Sequence, residues 1–288
     1  MNKINNLVKK GMNGLKSQKH RGENKQSSQE RQLNVQEKLQ KCSLCQDRGI
    51  IIENDGAKPC PCMKQKSFLN RFKNAHFTRE MLKSSFEKFN FDYYDRNSMD
   101  RVKNISYYDS AMIAYNAARN FVTDFLKDAH TDGLLLTGQV GSGKTYLACC
   151  IANALMDKGV SVLMVVVPDL LDEIKATYDQ GRSGSDYSEQ QLLDSARQVD
   201  VLILDDLGAH NYTDWTRNKI FSIINYRLNN QLPTIITSNL SLKELKEYLG
   251  ERTTSRIIQM CRVYRLIVDR DIRIVKRHEK EILNLIQR

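Results

Sequence analysis

Eight consecutive residues carry the plainest chemistry in this chain. Gly138, Gln139, Val140, Gly141, Ser142, Gly143, Lys144 and Thr145 read GQVGSGKT and fit G-x-x-x-x-G-K-[ST] at every position. Glycine backbones reach angles that turn successive N–H groups inward onto a phosphate. Lys144 is spaced to neutralise the β- and γ-phosphates of a nucleotide, and the Thr145 hydroxyl to meet Mg²⁺. Tyr146 closes the nucleotide-binding stretch. The Ala-rich segment from about Thr145 to Lys158 predicts a helix whose positive end faces the anion. A strand before and a helix after distinguish this loop from a chance glycine turn.

Two acids follow at the expected remove. VLILDD, residues 201–206, is an apolar run ending in Asp205 and Asp206. A buried parallel strand delivers such residues to the carboxyl edge of a sheet, where ligands sit. Asp205 suits the Mg²⁺ shell, through water, and Asp206 suits orienting or deprotonating an attacking water. TIITSNL, residues 234–240, is a third buried run ending in a polar residue. Asn239 is placed to bond the γ-phosphate or the lytic water; the competing assignment is a cap for a helix starting near Ser241.

Arginines come next. GERTTSR, residues 250–256, offers Arg252 and Arg256 as a finger reaching a neighbour's ATP, with Arg256 preferred over a merely solvated helix face. DRDIR, residues 269–273, places Arg273 to contact phosphate from its own chain, though Arg262, Arg265 and Arg270 lie close enough to compete.

A separate constellation lies upstream. Cys42-x-x-Cys45 is followed, fourteen residues on, by Cys60-Pro-Cys62. Four thiolates so spaced can surround Zn²⁺ tetrahedrally, and Gly49 and Gly56 let the intervening loop fold back. Reduced cysteines in a small hairpin, or a redox pair, are the alternatives, and His76 is a substitute ligand. Four protein ligands leave no open position, so such a zinc is structural. Cys149, Cys150 and Cys261 fall in expected core elements and read as packing residues.

These residues need elements to hold them. A helical repeat of apolar residues spans about 106–129. Short apolar runs then alternate with helical segments: 134–137, 161–167, 201–204, 234–238 and 263–268. That alternation predicts a mostly parallel sheet covered on both faces. The expected organisation is a basic tail (1–40), a cysteine module (41–65), a connector (66–105) and an ATPase domain (106–288). The tail carries nine basic and three acidic residues and few large apolar ones. The aromatic run FEKFNFDYY, residues 86–94, reads as packing against the domain, and QGRSGSDYS, residues 180–188, as a surface loop.

The totals narrow the class. In 288 residues, Lys and Arg number 44 and Asp and Glu 34, a formal net charge of +10. Such an excess points to an anionic partner, most often nucleic acid. No interleaved aromatic and basic platform marks where DNA would lie. The first residues lack the apolar core of a secretory signal, and no apolar run approaches the ~20 residues that cross a bilayer. A cytoplasmic protein without a membrane partner is expected.

Taken together, GQVGSGKT, VDVLILDDLG, the Asn of TIITSNL, the Arg of GERTTSR and the closing DRDIR resemble the AAA+ ATPases of the DnaC, DnaI and IstB group, over roughly Phe86 to Lys276. The resemblance implies an α/β P-loop NTPase (AAA+) domain with a five-stranded parallel sheet flanked by helices, behind a small Cys-rich zinc-binding module. It implies ATP bound with Mg²⁺ at the interfaces of a homo-oligomer, with Arg256 as finger and Arg273 as second sensor. The residues after Arg273 match this group's reduced helical lid, while Asp269 stands where the group often has Gly. The resemblance further implies ATP turnover coupled to loading a replicative DNA helicase onto single-stranded DNA. A transposition helper of the IstB type is one alternative. A nucleotide-switched DNA-binding adaptor with little turnover is another.

Overall fold

A computed structural model describes residues 42, 44–46, 48–53, 56–60, 62–63, 65–66, 78, 80–100, 104–179, 188–209 and 212–286. The expected basic tail, His76 and most of the 180–188 loop lie outside the described residues.

The first described elements are small. Strands β1 (Ile50–Glu53) and β2 (Gly56–Pro59) pair as a two-stranded sheet. Further on, β3 (Met99–Asp100) and β4 (Ile105–Ser106) form a short antiparallel pair.

Five parallel strands build the main sheet: β5 (Gly133–Thr137), β6 (Val162–Val166), β7 (Val201–Asp205), β8 (Thr234–Ser238) and β9 (Cys261–Arg265). Their spatial order is β6-β7-β8-β5-β9. Every residue of β5, β7 and β8 is buried. These central strands therefore read as unbroken apolar runs rather than alternating ones, because helices cover both faces. Each Leu or Ile so buried contributes about 2 kcal/mol. At the β9 edge, burial is partial and the sequence CRVYR turns polar.

The edge strand β6 is closed from outside by one side chain. Gln65 Oε1 accepts from the Val162 amide at 2.7 Å, and its Nε2 donates to the Val162 carbonyl at 2.7 Å. Both free backbone groups of that residue are thereby satisfied, as a neighbouring strand would satisfy them.

One face is covered by α1 (Tyr107–Lys127) and α2 (Lys144–Met156). The α1 stripe Ala111, Ala114, Ala118, Phe121, Phe125 follows three- and four-residue spacing and is buried. Ser106 starts the helix by accepting from the Asp109 amide at 3.0 Å. The aromatic run is packed here too: Tyr94 belongs to this core, with Phe86, Phe89 and Tyr93 against it. The other face carries α3 (Val167–Ala176), α4 (Glu189–Gln198), α5 (Asp214–Asn229), α6 (Leu242–Leu249) and α7 (Glu251–Met260). Helix α8 (Ile272–Ile286) comes last.

The final strand ends earlier than its apolar run. The sequence predicts it over 263–268, but β9 stops at Arg265. Leu266, Ile267 and Val268 are buried as a covering segment, with the Leu266 amide donating to the Thr137 carbonyl at 2.8 Å. Apolarity there reflects burial against the end of β5, not strand pairing. Among the described residues, no helix is long and apolar enough to cross a membrane.

Candidate functional site: a phosphate cradle with paired acids

The strand order decides where the chemistry gathers. The chain leaves β5 for the far edge at β6, returns through β7 and β8, then crosses to β9. The carboxyl ends of β5, β8 and β7 are consequently adjacent, and each delivers one part of the site.

The 138–145 loop leaves the end of β5. Gly138 has φ 139° and a Cβ there would meet the Leu266 carbonyl oxygen at 1.8 Å, so this position admits only glycine. Gly143, at φ 92°, caps α2. The loop is braced from outside: buried Tyr94 donates its hydroxyl to the Ser142 carbonyl at 2.8 Å, and the Ile272 amide donates to the Gly141 carbonyl at 3.1 Å. Gln139 turns its side chain away, donating to the Val268 carbonyl. Tyr146 donates to the Ser85 carbonyl at 3.1 Å from the cavity wall.

Lys144 is buried, and its ammonium donates to the carbonyls of Gly138 and Gln139 and to Asn239 Oδ1, each at 2.8 Å. Burial pushes its pKa down to about 8, against the opposing pull of Asp206 and Asp205. Thr145 Oγ1 donates to Asp205 Oδ1 at 2.9 Å. Asp205 is buried, and desolvation raises its pKa; hydrogen bonds from Thr237 and Thr145 work in the opposite direction.

Asp206 sits in the left-handed region at φ 58°, and its Oδ1 accepts from Asn239 Nδ2 at 2.6 Å. Asn239 thus lies between the ammonium of Lys144 and the carboxylate of Asp206. The competing cap assignment belongs elsewhere: Ser241 caps α6, with Glu244 completing a capping box. Lys144, Thr145, Asp205, Asp206 and Asn239 open on one cavity of about 670 Å³, which also has Val140, Arg273 and Lys276 in its walls.

Arg256 lies apart from that cavity. It extends from α7 toward α5, donating to Asn225 Oδ1 at 2.7 Å and stacking 4.7 Å from the Phe221 ring centre. The structure brings together the loop, Asp205, Asp206, Asn239 and Arg273, and leaves Arg256 on another face of the same chain.

Two participants went unread in the sequence, Thr237 and Tyr94. Thr237 stands one place before Ser238 at the end of a buried strand, a position where a hydroxyl must find protein partners. Tyr94 ends the aromatic run, and packing alone accounted for its composition.

The four cysteines also meet. The sulfurs of Cys42, Cys45, Cys60 and Cys62 lie within 4.8 Å of one another. Four thiolates bound to one tetrahedral ion at about 2.3 Å stand roughly 3.8 Å apart, so the set fits a metal ion with little adjustment. Cys149, Cys150 and Cys261 are buried, and desolvation raises each thiol's pKa, as suits packing residues.

A phosphate loop after β5, two acids after β7 and a polar residue after β8, the strand between them, define an ATP-binding P-loop domain of the AAA+ class. The chain belongs to the family of IstB-like ATP binding proteins, whose family model matches residues 84–268. It is 31% identical over 223 residues to the uncharacterized protein YqaM of Bacillus subtilis, covering 75% of this chain and 64% of that one. It is 32% identical over 149 residues to the replicative helicase loader DnaC of Escherichia coli, covering 52% of this chain and 58% of that one. The chain therefore matches less than two thirds of the length of these curated relatives. The crystal structure of the DnaC helicase loader superposes with a TM-score of 0.52 at 28% identity, covering 67% of this chain and all of that one.

Proposed function

We propose that this chain is an ATPase that loads a replicative DNA helicase onto single-stranded DNA. The observation that supports it most is the bridge formed by Asn239 between Lys144 and Asp206, beside the Thr145–Asp205 contact. A bare phosphate loop only holds phosphate; an acid oriented beside it can also direct water.

In this reading the loop amides and Lys144 hold the β- and γ-phosphates. The Thr145 hydroxyl and the Asp205 carboxylate are hard oxygen donors 2.9 Å apart and suit Mg²⁺, which when bound neutralises phosphate charge. Asp206 takes the proton from the attacking water, and Asn239 fixes its direction. Arg273, in the cavity wall, contacts phosphate from the same chain. Arg256, on another face, completes the site of a neighbouring copy, so turnover belongs to an assembled homo-oligomer.

The four-cysteine cluster holds a structural Zn²⁺ in this proposal, within an N-terminal module (1–65) that grips the helicase. The net charge of +10 supports an anionic partner, DNA. A cytoplasmic setting goes with both partners. The IstB-like family match supports a second reading, assistance to a transposase. The helicase-loader relative supports the first.

Reconstitution separates them. The chain, ATP, a replicative helicase and a single-stranded circle should yield helicase deposited on the circle, dependent on ATP. Absence of any deposition, with stimulation of a transposase instead, contradicts the loader reading.

A further inference from the structure

We propose that Thr237 is the positioning residue that sends Asp205 and Asp206 to their separate tasks. The inference rests on the ATPase reading and adds to it an uncharged residue outside the expected set.

Thr237 lies near the end of β8 and is 1% exposed, so its hydroxyl must find partners within the protein. It donates to Asp205 Oδ1 at 2.6 Å and accepts from the Asp206 amide at 2.9 Å. The same Asp205 oxygen accepts from Thr145 Oγ1. One hydroxyl thus touches both acids and, through Asp205, the phosphate loop.

The backbone explains why this matters. Paired residues of β7 and β8 end at Leu204 and Ile236. Immediately beyond, the Asp206 amide bonds to a side chain, where a continuing ladder would use backbone. In a continuing strand, successive side chains point to opposite faces of the sheet. Asp206 instead turns left-handed at φ 58°, a conformation that costs a non-glycine residue roughly 1 kcal/mol or more. The turn is held from the same strand: the Leu207 amide donates to the Thr237 carbonyl at 2.9 Å, and Ser238 Oγ to the Leu207 carbonyl at 2.5 Å. As a result, Asp205 meets Thr145 and Asp206 meets Asn239 Nδ2 at one edge of the sheet. Removing the hydroxyl leaves the Asp206 amide and an Asp205 oxygen each short of a partner in a buried setting.

The test compares wild type, Thr237→Val and Thr237→Ser in the full chain, with thermal melting to verify folding. A fluorescent ATP analogue is titrated in EDTA and in rising Mg²⁺. In EDTA the three affinities should agree within about twofold, since loop and Lys144 are untouched. The Mg²⁺-dependent gain in affinity should shrink about tenfold in Thr237→Val and return to within roughly threefold in Thr237→Ser. Turnover in Thr237→Val should fall about 100-fold even at saturating ATP and Mg²⁺, with KM raised in step with the lost Mg²⁺ gain. A folded Thr237→Val with the full Mg²⁺ gain overturns the proposal. If Thr237→Val does not fold, Thr237→Cys, which offers only a weak donor, is read in the same titration. A full Mg²⁺ gain in that variant overturns the proposal, and a diminished gain supports it. Wild type that binds the analogue with a Mg²⁺ gain but never hydrolyses ATP overturns the ATPase reading alone. Wild type that binds no nucleotide overturns both.

Discussion

Lys144 donates to Asn239 Oδ1 at 2.8 Å, and this bond ties the phosphate loop after β5 to the end of β8. Asn239 passes the tie on to Asp206 through its amide nitrogen. Asn239→Ala should therefore act on turnover more than on binding. We expect kcat to fall about 100-fold while ATP affinity changes less than about threefold. Steady-state hydrolysis and equilibrium binding of the variant check this. An equal loss in both would assign Asn239 to simple phosphate binding.

Burial of Lys144 predicts a pH signature. Its folded pKa, about 8, lies below the ordinary 10.5. Between those values the unfolded chain binds more protons than the folded one, so stability rises with pH across that window. The burial cost is complete below about pH 8 and fades toward pH 10.5. In denaturant melts at pH 7, 9 and 10, wild type should gain on Lys144→Met as pH rises. A difference independent of pH contradicts the assignment. ATP affinity should fall in the same window, as the free ammonium loses its proton.

The phosphate loop has almost no steric slack. A methyl at Gly138 would lie 1.8 Å from the Leu266 carbonyl oxygen, in a backbone conformation at φ 139°. Gly138→Ala should weaken ATP binding at least about 100-fold and destabilise the chain by about 2–3 kcal/mol. Calorimetric titration with ATP and a thermal melt measure the two effects.

These positions also show how far the sequence could be read. The phosphate loop, Asp205, Asp206 and Asn239 were legible because each ends an apolar run, and a parallel sheet brings such ends together. Thr237 was not, because a threonine inside TIITS satisfies strand composition whether or not its hydroxyl has a task. Tyr94 was hidden similarly, since packing and its bond to Ser142 require the same residue. Strand order and the left-handed turn at Asp206 are tertiary facts with no local signal in a run of apolar residues. The end of the last strand was misplaced for a related reason: Leu266–Val268 are buried, and burial alone writes the same letters as a strand.

Arg227 provides a stability test remote from the chemistry. It is fully buried, and burial pushes its pKa down to about 9. Its guanidinium donates to the carbonyls of Ala196, Arg197, Val199, Asp200 and Pro233 and to Thr234 Oγ1. That fastens the end of α4 to the starts of β7 and β8. Arg227→Met should cost about 3–4 kcal/mol, because several buried carbonyls lose their partner at once. Denaturant unfolding measures it, and ATP affinity of the folded fraction should be unchanged.

The proposed catalytic site is completed across subunits, with Lys144 from one copy and Arg256 from the next. The most direct measurement mixes two inactive variants, Lys144→Ala and Arg256→Ala, and follows ATP hydrolysis by the assembled protein. Each alone should turn over at least about 100-fold more slowly than wild type. The mixture should recover activity, because a Lys144-bearing copy can then face an Arg256-bearing neighbour. Normal hydrolysis by Arg256→Ala alone, or a mixture no more active than its components, would contradict the shared site.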